Sequence, residues 1–285
     1  YHPDFKDYLY SKKRFFDLLA PGSFALANAD DKNGSVMLQN TQARKLRFGR
    51  KNLADYGVRI LERHKGGMLL DLDRQEVFVR FSGDFNADNL LAVYATAVEL
   101  CIEKQAALET LSTLRPVRGR FETLEAPQGI TAIIDYAHTP DALENVFRAV
   151  ADLRTGNETL ISLVGAGGDR DKTKRPKMAK IAARHADKLI LTSDNPRTED
   201  PNAIIRDMAA GIPLELQAKT LTIPDRRQAI KTAVMMAQAN DIILVPGKGH
   251  ETYQEVDGVR HHFDDREELM KALGMNEERA NNPME

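Results

Sequence analysis

From residue 129 onward short, largely apolar stretches stand at 131–135, 160–164, 188–192 and 241–246. Between them apolar residues recur every three or four positions. Short apolar runs bounded by turn residues read as buried strands, and their alternation with helical stretches predicts an α/β fold with a mostly parallel sheet. The helix starts are well marked. Thr139 stands as an N-cap with Pro140 at the first helical position, and Leu143, Val146, Phe147, Val150 and Leu153 then share one face. Asp200 and Pro201 repeat that signal ahead of Ile204, Ile205 and Met208, and Pro224 and Asp225 open a third helix carrying Ala229, Ile230, Ala233 and Val234.

The preceding part is mixed. Residues 8–19 read as a helix with Leu9, Phe15, Phe16 and Leu19, residues 23–29, 68–72 and 77–81 read as strands, and 87–111 reads as one long helix. Residues 30–50, rich in Asn, Asp, Lys and Gln, have weak periodicity, and 275–285 reads as a frayed tail. A length of 285 residues fits two domains of roughly 150 residues each. The change of pattern divides them into 1–116 and 117–285. The chain opens at Tyr1 and enters patterned sequence at once, which reads as a fragment whose upstream part is missing.

In open α/β sheets ligands bind beyond the carboxyl ends of the strands. The polar loops fall there: DYAHTPD at 135–141, GAGGDRDK at 165–172, DNPR at 194–197 and GKGHE at 247–251. The glycine-rich loop fits neither standard phosphate template. Gly165 and Gly167 begin a G-x-G-x-x-G whose third position is Arg170, and no G-x-x-x-x-G-K-[ST] occurs. Its glycines could turn backbone N–H groups toward an anion or simply form the turn. Asn195-Pro196 is likewise a turn signal in its own right. Arg170 and Arg197 nevertheless leave adjacent strand ends, where two guanidinium forks suit carboxylates, while Glu251 suits an ammonium and Gly247 a close backbone approach. Together these imply a small zwitterionic substrate.

Other positions read two ways. Asp135 is a ribose-hydroxyl acceptor or a turn carboxylate, Arg120 a phosphate contact or a bridge between domains, and His250 a structural histidine or an acid–base group. Asn86 and Asn89 lie at a helix start, where capping accounts for one of them. His2 and Lys12 by themselves form no metal motif.

Charge removes whole classes of function. Lys and Arg number 40 against 42 Asp and Glu, a net of −2, so no bulk charge steers the chain to nucleic acid or a membrane surface. No apolar run approaches the roughly 18 residues that span a bilayer. The single cysteine, Cys101, in a stretch that reads as apolar and helical, excludes a disulfide framework and fits the cytoplasm.

In sequence order, GDFNADN, GRFE, DYAHTPDALE, GAGGDRDKTKRP, DNPRTEDP and GKGHETYQ resemble the Mur ligases over essentially the whole chain, and DNPR resembles the members that add meso-diaminopimelate. The resemblance implies the rear part of a central ATPase domain followed by a Rossmann-like C-terminal domain, without the family's N-terminal domain and P-loop. It implies a monomer with Mg2+ and ATP, which joins meso-diaminopimelate to a UDP-N-acetylmuramoyl dipeptide through an acyl phosphate, with a hinge near 117–119. By motif position it puts His2 and Lys12, the latter as a carbamate, at magnesium. It puts Asn86, Asn89, Arg120, Asp135 and His138 near the nucleotide, and Arg170, Asp194, Asn195, Arg197, Gly247 and Glu251 around the amino acid. Pro3 departs from the family's glycine beside that histidine. The chain alone is expected not to ligate; the alternatives are a binding module without catalysis and a related ligase that adds L-lysine.

Overall fold

The computed structural model describes residues 4–64 and 66–276. Two compact units result, Tyr1–Arg115 and Pro116–Glu285. His2, the last nine residues of the expected frayed tail, and Lys65 lie outside the described residues.

Unit 1 runs α1 (Phe5–Asp17), β1 (Phe24–Asn28), α2 (Gly34–Met37), β2 (Arg44–Gly49), β3 (Tyr56–His64), β4 (Gly67–Leu72), β5 (Gln75–Val79), α3 (Asp84–Glu99) and α4 (Lys104–Thr113). The strands form one sheet in sequence order, parallel from β1 to β3 and antiparallel from β3 to β5. Its core lies between that sheet and α3 with α4, where Leu70, Leu72, Val79, Leu91 and Tyr94 are buried.

Three expectations for this unit need correction. The single helix over 87–111 is broken: α3 ends at Glu99 with Leu100 as its C-cap, and α4 starts after Glu103, whose carboxylate accepts from Ala106 N–H at 2.9 Å. Cys101 lies in the break, exposed and at φ +64, a left-handed conformation normally left to Gly or Asn. With neither of those residues present, the sequence carries no breaker signal. The weakly periodic 30–50 region holds α2 and β2, and β5 sits two residues earlier than read.

Unit 2 runs β6 (Glu122–Glu125), β7 (Thr131–Asp135), α5 (Pro140–Leu153), β8 (Leu160–Val164), α6 (Lys174–His185), β9 (Lys188–Leu191), α7 (Pro201–Ala209), α8 (Leu214–Gln217), β10 (Thr220–Thr222), α9 (Arg226–Met236), β11 (Ile242–Pro246), β12 (Tyr253–Val256), β13 (Val259–His262) and α10 (Asp265–Leu273). Its sheet has the order β10-β9-β8-β11-β7-β6, parallel except for the edge strand β6. Alternate strand residues Ala132, Ile134, Ile161, Leu163, Ile243 and Val245 pack with α9 and α10. The intervening Ile133, Leu189, Leu191 and Leu244 are fully buried as well, and α6 and α7 pack on β8 and β9. Burial on both faces is why these strands are largely apolar.

Thr139, Asp200 and Asp225 cap α5, α7 and α9 with their side chains. Met275, placed by the sequence in the frayed tail, is instead buried in this core. Gly119, in the expected hinge, has φ +68, and a Cβ there would lie 2.1 Å from His250 N, so it belongs to the packing of unit 2.

Glu158 closes the turn before β8. Burial pushes its carboxyl up, but N–H bonds from Thr155 and Gly156 and the Thr155 hydroxyl outweigh that and hold it at about 2 against an ordinary 4.5. A carboxyl depressed on folding stabilises above its unfolded value and loses that contribution as pH falls toward the folded one. Unit 2 is therefore expected to weaken between pH 4.5 and about 2 through this group. Glu158→Gln should flatten that part of the profile in urea melts; an unchanged acid slope would contradict it.

Candidate functional site

Register brings the loops of unit 2 together in pairs. Pro246 pairs with Asp135, so residues 136–141 and 247–251 leave the sheet side by side; Val164 pairs with Leu191, so 165–172 and 192–197 do the same.

The first pair holds an aromatic cluster. Tyr136 has the Arg120 guanidinium 4.7 Å over its ring, His138 at 4.7 Å and His250 at 5.1 Å. Burial, then the carboxylates of Glu251 and Asp194, raise the Tyr136 hydroxyl above its ordinary value. Asp135 beneath it is buried, and its oxygens accept the N–H groups of Phe121 and Ala137, both at 2.8 Å. Burial outweighs those bonds and keeps its carboxyl above the ordinary range. It is thus a turn carboxylate first. His138 is exposed and donates from Nδ1 to the Tyr136 carbonyl at 2.8 Å.

The second pair uses its glycines for close packing. A Cβ on Gly168 would lie 1.9 Å from Pro196 O, and Gly168 N–H donates to Asn195 O at 2.9 Å. The Gly168 N–H is therefore committed to the neighbouring loop. Arg175, at 1% exposure, braces the pair through Glu199, which also accepts from Asp169 N–H at 2.7 Å. Arg170 and Arg197 flank Gly167, with Arg197 Nη1 2.9 Å and Arg170 Cγ 3.9 Å from where its Cβ would stand. Arg170 is exposed and donates to Asp169 O. Arg197, at φ +53, donates from Nη1 to Gly168 O at 2.7 Å and has Nε 3.8 Å from Glu255.

Carboxylates face these cations. Asp194 is 7% exposed, and its Oδ2 lies 2.8 Å from where a Gly247 Cβ would be, so Gly247 at φ +120 admits it. Asn195 Nδ2 donates to Glu251 Oε2 at 2.8 Å, and Asn195 Oδ1 accepts from Lys248 Nζ at 3.2 Å and Glu255 N–H at 3.0 Å. The hairpin β12–β13 clamps the 194–197 loop: Gln254 donates to Asp194 O, Arg197 N–H to Glu255 O, and Asp257 N–H to Arg197 O.

The structure thus gathers Arg170, Asp194, Asn195, Arg197, Gly247 and Glu251 in one place, and Arg120, Asp135 and His138 in a neighbouring one. Sequence reasoning passed over Tyr136, Lys174, Lys248 and the hairpin. Lys174 donates to His138 O at 3.0 Å; burial, with Arg170 and Arg197 nearby, lowers its ammonium against the opposing pull of Asp194 and Asp171. The hairpin had a signal: Asp257-Gly258, with φ +49 and +76, is a two-residue turn favoured between paired strands.

In unit 1, Asn86 is buried and donates to Ser82 O at 2.8 Å, with exposed Asn89 donating to its Oδ1 at 3.4 Å. Neither caps the helix, because Gly83 holds the N-cap position; that corrects the capping reading. Lys12 is exposed on α1 with Nζ 4.7 Å over the Tyr8 ring, whereas neighbouring Lys13 is buried and paired with Asp17 at 2.5 Å. Among the described residues no group of three His, Cys, Asp or Glu is placed to hold a metal, and no helix is long and apolar enough to cross a membrane.

The family described as Mur ligase middle domain matches residues 1–97, and that described as Mur ligase, glutamate ligase domain matches 119–249. The chain belongs to the Mur ligases. Among Mur ligases it is 53% identical over 275 residues to the UDP-N-acetylmuramoyl-L-alanyl-D-glutamate--2,6-diaminopimelate ligase of Bacteroides fragilis, covering 96% of this chain and 57% of that protein. To the ligase of the same name in Parabacteroides distasonis it is 56% identical, covering 94% of this chain and 55% of the relative. The chain therefore spans a little over half the length of these curated relatives. A solved Mur ligase structure of the same name is 37% identical with a TM-score of 0.61, over 96% of this chain and 57% of the other. The UDP-N-acetylmuramate-alanine ligase of Thermotoga maritima, at 19% identity and TM-score 0.66 over 99% of this chain and 56% of that one, shares the fold.

Proposed function

We propose that this chain is the amino-acid-accepting part of an ATP-dependent ligase of peptidoglycan synthesis, which adds meso-diaminopimelate to UDP-N-acetylmuramoyl-L-alanyl-D-glutamate. One observation carries the reading: two arginines flank Gly167 while Asp194 and Glu251 occupy the facing loops, so cations and carboxylates converge as an amino acid with an additional carboxylate requires. The names of the similar ligases supply the acceptor.

A free carboxylate is a poor electrophile. Transfer of the ATP γ-phosphoryl group to the D-glutamyl carboxylate releases ADP and makes an acyl phosphate; attack by the diaminopimelate amine then forms the amide and releases phosphate. Arg170 and Arg197 bind the incoming carboxylates, and Asp194 and Glu251 hold the ammonium that does not react. Arg120, Asp135 and His138, beside the Tyr136 ring, are the nucleotide-contact candidates of unit 2, and Asn86 and Asn89 are separately those of unit 1. Magnesium belongs to the same reading. An ammonium cannot ligate a cation, so Lys12 fits such a site only as its carbamate, which offers oxygen ligands suited to a hard cation, together with His2. Cys101 as a free thiol fits a cytoplasmic monomer.

The longest natural polypeptide carrying this chain should form amide product and release phosphate with meso-diaminopimelate and not with L-lysine. Equal turnover of lysine overturns the specificity. This chain by itself should bind the diamino acid in a calorimeter without ligating it; amide formation by the isolated chain would refute its assignment as the accepting part alone.

A further inference from the structure

Lys248 has no exposed surface at all, yet the acts assigned above leave it without a role. Burying an ammonium is costly unless donors and charge are satisfied. Its Nζ has Asn195 Oδ1 at 3.2 Å, Glu251 Oε2 at 3.3 Å and the Tyr253 ring at 5.6 Å. Every one of these groups belongs to the proposed amino-acid site or to the hairpin that clamps it.

The consequence follows from the two faces of an amide. Asn195 Oδ1 receives both Lys248 Nζ and Glu255 N–H, so the oxygen side is fixed and Nδ2 must point at Glu251 Oε2, where it is found at 2.8 Å. Glu251 Oε2 is then held by two donors, while no described residue donates to Oε1. Asp194, 7% exposed, likewise receives no hydrogen bond on its carboxylate from the described residues. Charge points the same way. The buried Arg226 is paired with Asp265 and Lys248 with Glu251, while Asp194, whose charge Lys174 feels, makes no ion pair with any described residue and so stays available to an incoming cation.

We infer that Lys248 is a positioning residue for recognition of the substrate ammonium: it locks the Asn195 amide and one Glu251 oxygen so that the other oxygen, with Asp194, faces the bound amino acid. This rests on the functional reading above. Lys248 touches no reacting atom, so its loss acts through Glu251.

In the longest natural polypeptide carrying the chain, Lys248→Met should raise KM for meso-diaminopimelate about tenfold or more while KM for ATP changes less than about twofold. Combined with Glu251→Gln, it should add little to the loss from Glu251→Gln alone, because the two act as one unit. A folded variant with equal losses toward every substrate, or full additivity with Glu251→Gln, would overturn the inference. Should the methionine variant not fold, Lys248→Gln, which keeps a donor but no charge, is held to the same criteria. A crystal structure of the variant gives a readout independent of turnover: Asn195 should flip or Glu251 Oε2 leave its place, and an undisturbed pair would count against Lys248. If the parent protein turns over no diaminopimelate, the functional reading falls, while that structure still decides the positioning role.

Discussion

Arg197→Ala should abolish selection of meso-diaminopimelate over L-lysine. Losing one partner of a hydrogen-bonded, largely desolvated charge pair costs on the order of 2–5 kcal/mol, about thirtyfold in affinity at the least. Arg197 spends one N–H on Gly168 O at 2.7 Å and stands 3.8 Å from Glu255 through Nε, so most of its fork remains for a ligand carboxylate. Lysine has no second carboxylate, so its binding should barely change. Arg197→Lys should recover little, because a point charge cannot serve Gly168 O and a carboxylate in a fork geometry together. Calorimetric titration of both amino acids against the three proteins reads this directly. Retained diaminopimelate affinity in the alanine variant would move the carboxylate contact elsewhere, Arg170 being the first candidate.

The largest loss of stability is expected from Asp265→Ala. Arg226 and Asp265 both have fully buried side chains and are joined by two bonds of 2.7 Å. Removing the carboxylate strands a guanidinium in the core of unit 2, which costs about 3–5 kcal/mol, against roughly 5–15 kcal/mol for a whole domain. The same arginine donates to Ser193 O at 3.2 Å and Pro246 O at 3.4 Å, the residues just ahead of Asp194 and Gly247. It therefore ties two of the site's loops together. Replacing both partners, Arg226→Met with Asp265→Leu, should restore most of the stability in urea unfolding, since neither charge is then left unpaired, yet weaken diaminopimelate binding because the loops lose their tether. A single Asp265→Ala variant within about 1 kcal/mol of the parent would show that the pair is not the buried anchor described.

The strands of unit 2 were legible because both faces are covered. The largely apolar stretches at 131–135 and 160–164 match β7 and β8 residue for residue, and Thr139, Asp200 and Asp225 announced their helices. Once those strands were placed, the loop motifs had to lie at their carboxyl ends, which is why Arg170, Asn195, Arg197 and Glu251 could be named together. The break at Cys101 was not legible, since a left-handed residue that is neither Gly nor Asn leaves no compositional mark.

By itself the sequence determined the strand–helix alternation, the contiguous motifs and the family they resemble, because these depend on local periodicity and on residues adjacent in the chain. Only the tertiary structure decided which charges are buried and with whom. Nothing in the sequence marks Arg226 as buried until helix packing brings Asp265 to it, and Lys248, three residues from Glu251, is buried against Asn195 from a distant loop. The glycines at 165–168 read as a phosphate cradle or a turn until Pro196 O is found against Gly168. Desolvation depends on what packs around a group from distant parts of the chain, and no local pattern encodes it.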